Sequence, residues 1–593
     1  MKRALPLLLL GLPVVAAAQQ RYIDEVFTDA QVVITPNVPF GTNIDFLTSN
    51  LASPNVPAEV MQLQTLVSTQ QPIPTPFFDP FDGSTAMKVT TLRMDIYEPD
   101  QGVDTVAQRP MVLYIHTGNA LPPGYPGNGS PTGTRTDSCA VEVCKRMARR
   151  GYVAVSMSYR LGWNPLAPTE EERRGQLLNA IYRAIHDVRQ CVRTHKAEAA
   201  GANTYGIDPE KIVVLGEGTG GYIALAHSTL DKPSELFVNK FDPNGPFPPD
   251  SSYVDTNKVG NLDGLNGQLT LYRPNGFDHA THFCVNMGGA LADTTWLEQG
   301  DVPMVAFHTV FDPYAPFTYG IVIVPTTNGP VVDVPGSNFF IPWANDLGNQ
   351  ASFANLSNDP FTARARSLYG QTLDGVTISS GAEGLFPVVR PRWPPPAKDE
   401  ASPWQWWDPN SPDALDVIPG LNITTHQASM ASNPDMSGNK GRAYLDTVMG
   451  YMNPRIVCAL QLGPCALGTP DCLGVIDGPD MPGQPCDDGD ANTINDTWTA
   501  NCTCVGQPVG IAEPAAAAAL VIAPNPANDA VRISSPAGRV LGYTLHTPDG
   551  RLVRQSTVNA DLIVLERGEL GGGAYFLTLE FADGRAVRRI AFN

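Results

Sequence analysis

A chain of 593 residues exceeds what one hydrophobic core organises, so it should fold as one large domain with smaller modules. With 42% hydrophobic and 17% charged residues it is not a disordered chain, and 54 Gly with 55 Pro imply many turns and long loops around a packed centre. The formal net charge of −20, from 39 Lys and Arg against 59 Asp and Glu, disfavours phosphate backbones and anionic lipid, so no nucleic-acid partner is expected.

Residues 1–18 read as a secretory signal peptide: Lys2 and Arg3, a short apolar run broken by Pro, then Ala16 to Ala18. No later stretch reaches the roughly 20 apolar residues of a membrane span, so no transmembrane segment is expected after signal removal. Residues 19–465 form the main domain. From about residue 85 to 230, apolar β-rich runs alternate with helical periodicity, which predicts an α/β fold with a mostly parallel sheet and helices on both faces. The strands are "LRMDIYEP", "MVLYIH", "YVAVSMSYR" and "KIVVLG", followed by "HFCVNM" and "PMVAFH". A helix lies before "KIVVLG", where Leu177, Leu178, Ile181, Ile185, Val188 and Val192 recur at intervals of three and four. The last helix is expected around "GRAYLDTVMGYM".

Residues 318–420 carry Pro, Asn and Gly with little periodicity and read as a long insertion over the sheet, a placement that suits a lid. Within it Trp393, Trp404, Trp406 and Trp407 offer either a platform for a flat or polymeric ligand or a hydrophobic plug. Residues 470–507 form a small Cys-rich acidic module, too short for its own core and therefore expected to be disulfide-stapled through Cys472, Cys486, Cys502 and Cys504. Its Asp487, Asp488, Asp490, Asn492, Asn495 and Asp496 are hard oxygen donors that suit Ca²⁺, with a solvated acidic turn as the alternative; no other cofactor is required. Cys139, Cys144, Cys191 and Cys284 are spread through the main domain, where an exported chain is expected to bridge them; Cys144 and Cys191, both on expected helices, could pair. His279 and His282 have a metal-like spacing but no third ligand. Residues 508–519 are a linker, and residues 520–593 read as short strands of a β-sandwich.

The main domain resembles the α/β-hydrolase fold, in particular secreted carboxylesterase-like and lipase-like members. The resemblance rests on "VLYIHTGNA", with His116 to Asn119 in the places of an HGGG-type loop, on "RRGYVAVSMSYRLGW", and on "NTYGIDPEKIVVLGEGTGG". In the corner motif G-x-S-x-G, Gly216 and Gly220 take the outer places and Gly218 stands where the nucleophilic serine belongs. Glycine has no oxygen with which to attack a carbonyl, so serine-type covalent catalysis cannot start there. The resemblance further implies an oxyanion site from backbone N–H groups around Thr117, Gly118 and Thr219, an acid at Asp312 in "DVPMVAFHTVFDPYAPF", and a histidine downstream at His426. Glu217 is expected at the surface or against a loop.

The tail resembles the C-terminal sorting domain of the type IX secretion system, on "APNPAND", "YTLHTPDGRLV" and "GGGAYFLTLEFADGRAVRRIAF" in order. That resemblance implies passage through the periplasm to the outer-membrane surface or the medium, with the secretion machinery as partner. Three readings of the main domain follow: a degenerate hydrolase, or non-catalytic surface binding protein, that holds an ester-like small molecule or polymer; an active hydrolase with Thr219 as displaced nucleophile; and one using water activated by Asp312 and His426. If only the nucleophile is lost, Gly218→Ser restores activity.

Overall fold

The computed structural model describes residues 19–126, 128–244, 251–324, 328–392, 401–508 and 513–593. The leader at 1–18, Trp393 and residues 509–512 of the linker lie outside them. The chain divides after Pro470 into two compact units.

In the first unit the expected strands form, with a further one ahead of them: β1 (Val32–Ile44), β2 (Val89–Pro99), β3 (Arg109–Ile115), β4 (Val153–Met157), β5 (Ile207–Glu217), β6 (Phe283–Met287) and β7 (Met304–Thr309). The insertion is more regular than its sequence suggests. It holds two hairpins, β8 (Tyr319–Ile323) with β9 (Pro330–Pro335) and β10 (Thr372–Leu373) with β11 (Val376–Thr377), and then β12 (Leu385–Val388), which pairs parallel to β7. The eight-stranded sheet runs β1-β2-β4-β3-β5-β6-β7-β12, antiparallel through its first three strands and parallel thereafter.

Four helices matter for the site's frame: α1 (Val56–Ser68), α2 (Ser138–Arg149), α3 (Glu170–Ala200) and α4 (Thr219–Thr229). Thr169 caps α3 by accepting the Glu172 N–H, with Glu170 to Glu172 in its first turn where the helix dipole favours negative charge. Alternation along the central strands sends Met111, Leu113 and Ile115 of β3 into a core shared with α3 and α4, while Val112 and Tyr114 face a second core shared with α2 and the helix Gly438–Leu460. This two-sided burial corrects the cysteine expectation. Cys144 lies in the second core and Cys191 in the first, on opposite sides of the sheet, so they cannot pair. Cys139, Cys144, Cys191 and Cys284 are all buried free thiols.

The second unit begins with the acidic module, stapled by Cys472–Cys502 and Cys486–Cys504 around β13 (Thr493–Trp498) and β14 (Cys504–Pro508). Beyond it come β15 (Val521–Ala523), β16 (Ala530–Ser534), β17 (Val540–His546), β18 (Leu552–Ala560), β19 (Leu562–Glu566), β20 (Gly573–Phe581) and β21 (Gly584–Phe592). They make antiparallel sheets β15-β16-β19 and β18-β17-β20-β21 around a core that includes Val531, Ile533, Leu545, Leu577 and Ile590. A third bridge, Cys458–Cys465, belongs to the first unit.

Candidate active site

β5 delivers the chain to a sharp corner and α4 carries it away. Between them Gly218 has φ +53° and ψ −115°, a region that side-chain-bearing residues enter only under strain. The corner is pinned by backbone: the Gly218 N–H donates to the Met287 carbonyl at 2.8 Å and the Gly221 N–H to the Gly218 carbonyl at 2.9 Å. Its small residues are sterically required. A Cβ on Gly216 would overlap the Gly220 carbonyl, and one on Gly220 would overlap the Ile115 carbonyl. Close backbone contacts at the corner therefore leave no room for side chains at Gly216 or Gly220.

Two threonines fill the space the chemistry would need. A Cβ added at Gly218 would overlap Thr117 Oγ1, so the hydroxyl of Thr117 sits where a serine side chain would start. Thr219 Oγ1 accepts the Asn119 N–H at 2.8 Å, which engages a backbone donor of the loop that would otherwise stabilise an oxyanion. That loop runs left-handed through Gly118, Asn119 and Ala120, with Gly118 at φ +109° pressed against the Gly133 backbone. Trp163 Nε1 donates to the Asn119 carbonyl at 2.6 Å and fixes the loop from the other side.

The Asp312 side chain is 2% exposed and its Oδ1 accepts the backbone N–H groups of Tyr314 and Ala315. Its other oxygen lies 3.6 Å from His308 Nε2. Burial pushes the Asp312 carboxyl up to about 7, with those two amides holding it back, and pushes the His308 imidazole down to about 4. His426 is half-buried on the short helix Thr425–Met430. Trp407 Nε1 donates to His426 Nδ1 at 3.0 Å. Since an indole N–H can only donate, Nδ1 is the acceptor and the neutral ring carries its proton on Nε2, the opposite tautomer from that of a triad base. Among the described residues no hydrogen bond joins Asp312 to His426.

Glu217 is wholly buried rather than at the surface, and of the two expected placements it takes the one against a loop, beside Trp404 and Gln405. The period-2 alternation of β5 turns it into the second core, where its Oε2 accepts the Tyr114 hydroxyl at 2.6 Å. Burial raises its carboxyl to about 7, against the lowering influence of Tyr114. Of the described tryptophans named for a ligand platform or a plug, only Trp407 lines the cavity beside the corner. Trp404 is fully buried and Trp407 is 8% exposed, while Trp406 packs over Gly441 with the Arg442 guanidinium 5.2 Å from its ring centre.

In the second unit, carboxylate oxygens of Asp487, Asp488 and Asp496 come within 4.8 Å of one another. Asp490 instead accepts the Asn492 backbone and side-chain N–H groups, closing its own turn. His279 and His282 are separately engaged, His279 with Asp263 at 3.0 Å and His282 with the Ile212 N–H at 3.1 Å.

Sequence reasoning did not find the cavity beside the corner. It encloses about 430 Å³. Near Gly218 its wall is polar, from Thr117, Thr219, Asp312, Ser402 and Gln405. Along α4 it is lined in turn by Tyr222, Ala226 and Leu230, and across from them by Leu178 and Ile181 of α3 and by the β8–β9 hairpin. The apolar stripe of α3 was legible in the sequence, but the hairpin that roofs it was not.

The family model BD-FAE, of an α/β-hydrolase-type esterase family, matches residues 94–259, which include both the Thr117–Asn119 loop and the corner. No curated protein sequence matches the chain. Among solved structures, similar chains include a thermophilic esterase from the planctomycete Thermogutta terrifontis with propionate bound, at 15% identity over 38% of this chain and 70% of that one, with a TM-score of 0.23. The esterase 2 of that organism phosphonylated by sarin is 16% identical over 38% and 71%, with a TM-score of 0.25. MGS-M1, an α/β-hydrolase enzyme from a Medee basin deep-sea metagenome, is 16% identical over 38% and 66%, with a TM-score of 0.22. Likeness at such scores carries no argument about chemistry. The sheet order and the matched segment give an esterase-like α/β-hydrolase fold.

Proposed function

We propose that this chain is a secreted, carboxylesterase-like protein whose catalytic corner is disarmed and whose cleft holds an ester-like ligand without cleaving it. The carrying observation is the double occupancy at the corner: Thr117 Oγ1 fills the nucleophile's space and Thr219 Oγ1 accepts the Asn119 N–H. Thr219 is poorly placed as a substitute nucleophile, since its hydroxyl is committed to that amide and, among the described residues, no histidine or carboxylate bonds to it. A water route through Asp312 and His426 needs the two to act together, and His426 is engaged by Trp407 instead. The test is turnover of p-nitrophenyl acetate and butyrate by the intact protein. Rates at the uncatalysed background are expected; saturable turnover overturns the reading.

The sorting role of the tail is part of the same proposal, supported by its three ordered motifs and by its separate sandwich core. Deleting residues 520–593 is expected to leave the remaining chain in the periplasm, and normal amounts at the surface or in the medium would contradict it.

A further inference from the structure

We propose that the cavity takes one unbranched acyl chain, with the carbonyl head at the corner and the methylenes along α4. This deepens the proposed function and rests on its reading of a disarmed corner. The first support is direction. The lining residues Thr219, Tyr222, Ala226 and Leu230 recur every three or four positions, so the cavity follows one face of α4 from its first turn to its end, roughly 18 Å from Gly218 to Leu230. A long ligand can follow such a course.

The second support is polarity. Polar side chains cluster at the Gly218 end, while the far end is walled by Leu230, Leu236, Phe241, Trp296 and Val332. A sugar or peptide placed there would lose its water contacts without replacement, whereas methylenes gain from leaving water. The third is an unpaired donor. Tyr222 lines the cavity, and its hydroxyl is buried beside it without a hydrogen-bond partner, its pKa raised by burial and by the charge of nearby Asp312. Buried hydroxyls are rarely left unpaired, and a carbonyl oxygen at this depth would accept from it. Acids and esters share that carbonyl, so the free acid and its ester are the two sources to separate.

The experiment is titration calorimetry of the full chain with straight-chain fatty acids, and separately with their methyl esters, from four to sixteen carbons, while released acid is assayed in the ester arm. Affinity is expected to rise about fourfold per methylene and then reach a plateau where the cavity is full. Tyr222→Phe should weaken every chain length by about fivefold without changing the slope or lowering the melting temperature, because the hydroxyl has no partner to lose in the empty protein. Ala226→Leu should move the plateau to shorter chains. Acids alone binding assigns the head to a carboxylate, and parallel series assign it to the carbonyl; either keeps the chain site. Absence of binding at every length, or affinity indifferent to length, overturns the inference. Esters that bind with the expected length dependence but are cleaved leave the chain site standing and overturn the disarmed corner.

Discussion

The corner around Gly218 and the loops carrying Asp312 and His426 belong to the same expected constellation, and the fold treats them differently. At the corner the backbone is held by contacts too close for any side chain at Gly216 or Gly220, between β5, α4 and β3, in the middle of the sheet. Those contacts serve the core whether or not chemistry occurs. The Asp312 and His426 side chains stand on a loop after β7 and on a short helix that follows the insertion, and each has another partner: backbone amides and His308 for one, Trp407 for the other. The corner is fixed by backbone packing that no side chain can disturb, while Asp312 and His426 are placed by the loops and neighbours around them.

The largest expected effect tests the packing half of that contrast. Gly220→Ala should destabilise the first unit by about 3 kcal/mol or more, because the new methyl meets the Ile115 carbonyl and backbone must shift. His426→Ala, at a half-buried position with one hydrogen bond, should cost about 1 kcal/mol. Denaturant melts of the two variants check the ordering, and comparable losses would break the comparison.

The next effect is in pH. The Asp312 carboxyl, ordinarily near 3.8, is raised to about 7, and that of Glu217, ordinarily near 4.5, to about 7. A raised carboxyl means the folded chain binds the proton more tightly than the unfolded one. The stability it contributes is full below the unfolded pKa and is lost as pH rises through the folded pKa, so the slope lies between about pH 4 and 7. Around Asp312 the facing titratable groups are His308, Tyr222 and Tyr314, and around Glu217 they are Tyr114, Cys139, Asp137 and Tyr159. Glu217→Gln should flatten part of that slope, on the order of 1–3 kcal/mol between about pH 4 and 7, read from denaturant midpoints. An unchanged slope would mean that Glu217 is not held as described.

The smallest expected effect concerns activity. Gly218→Ser alone should remain at background with activated esters, contrary to what loss of the nucleophile alone would imply, because Thr117 contests the side chain's space and His426 presents a protonated Nε2. A serine variant with saturable turnover would show that the acid and histidine still cooperate, and would sharpen the contrast to a single missing side chain.

Much of the sheet was legible because its central strands are short apolar runs bounded by turn residues. β1 was not, since Pro36, Pro39 and Gly41 interrupt it and its pairing with β2 shifts register twice. β12 was hidden for a similar reason: Pro387 sits inside a four-residue strand within a Pro-rich insertion. At the site, the corner was readable because its glycines answer a steric demand that leaves a mark in sequence. The partners of Asp312, His426 and Glu217 were not, because Trp407, His308 and Tyr114 reach them through tertiary placement that no local spacing records. Thr117 and Thr219 could be named from the motif, but that one fills the nucleophile's space and the other accepts a loop amide follows only from the folded backbone.

The most direct test of the disarmed corner is intact-mass analysis of the wild-type protein after exposure to a serine-reactive organophosphonate. The account predicts an unchanged mass, since among the described residues no histidine or carboxylate bonds to the Thr219 hydroxyl beside Gly218. A stoichiometric adduct, mapped by peptide mass to Thr219 or to any other cleft residue, would contradict it.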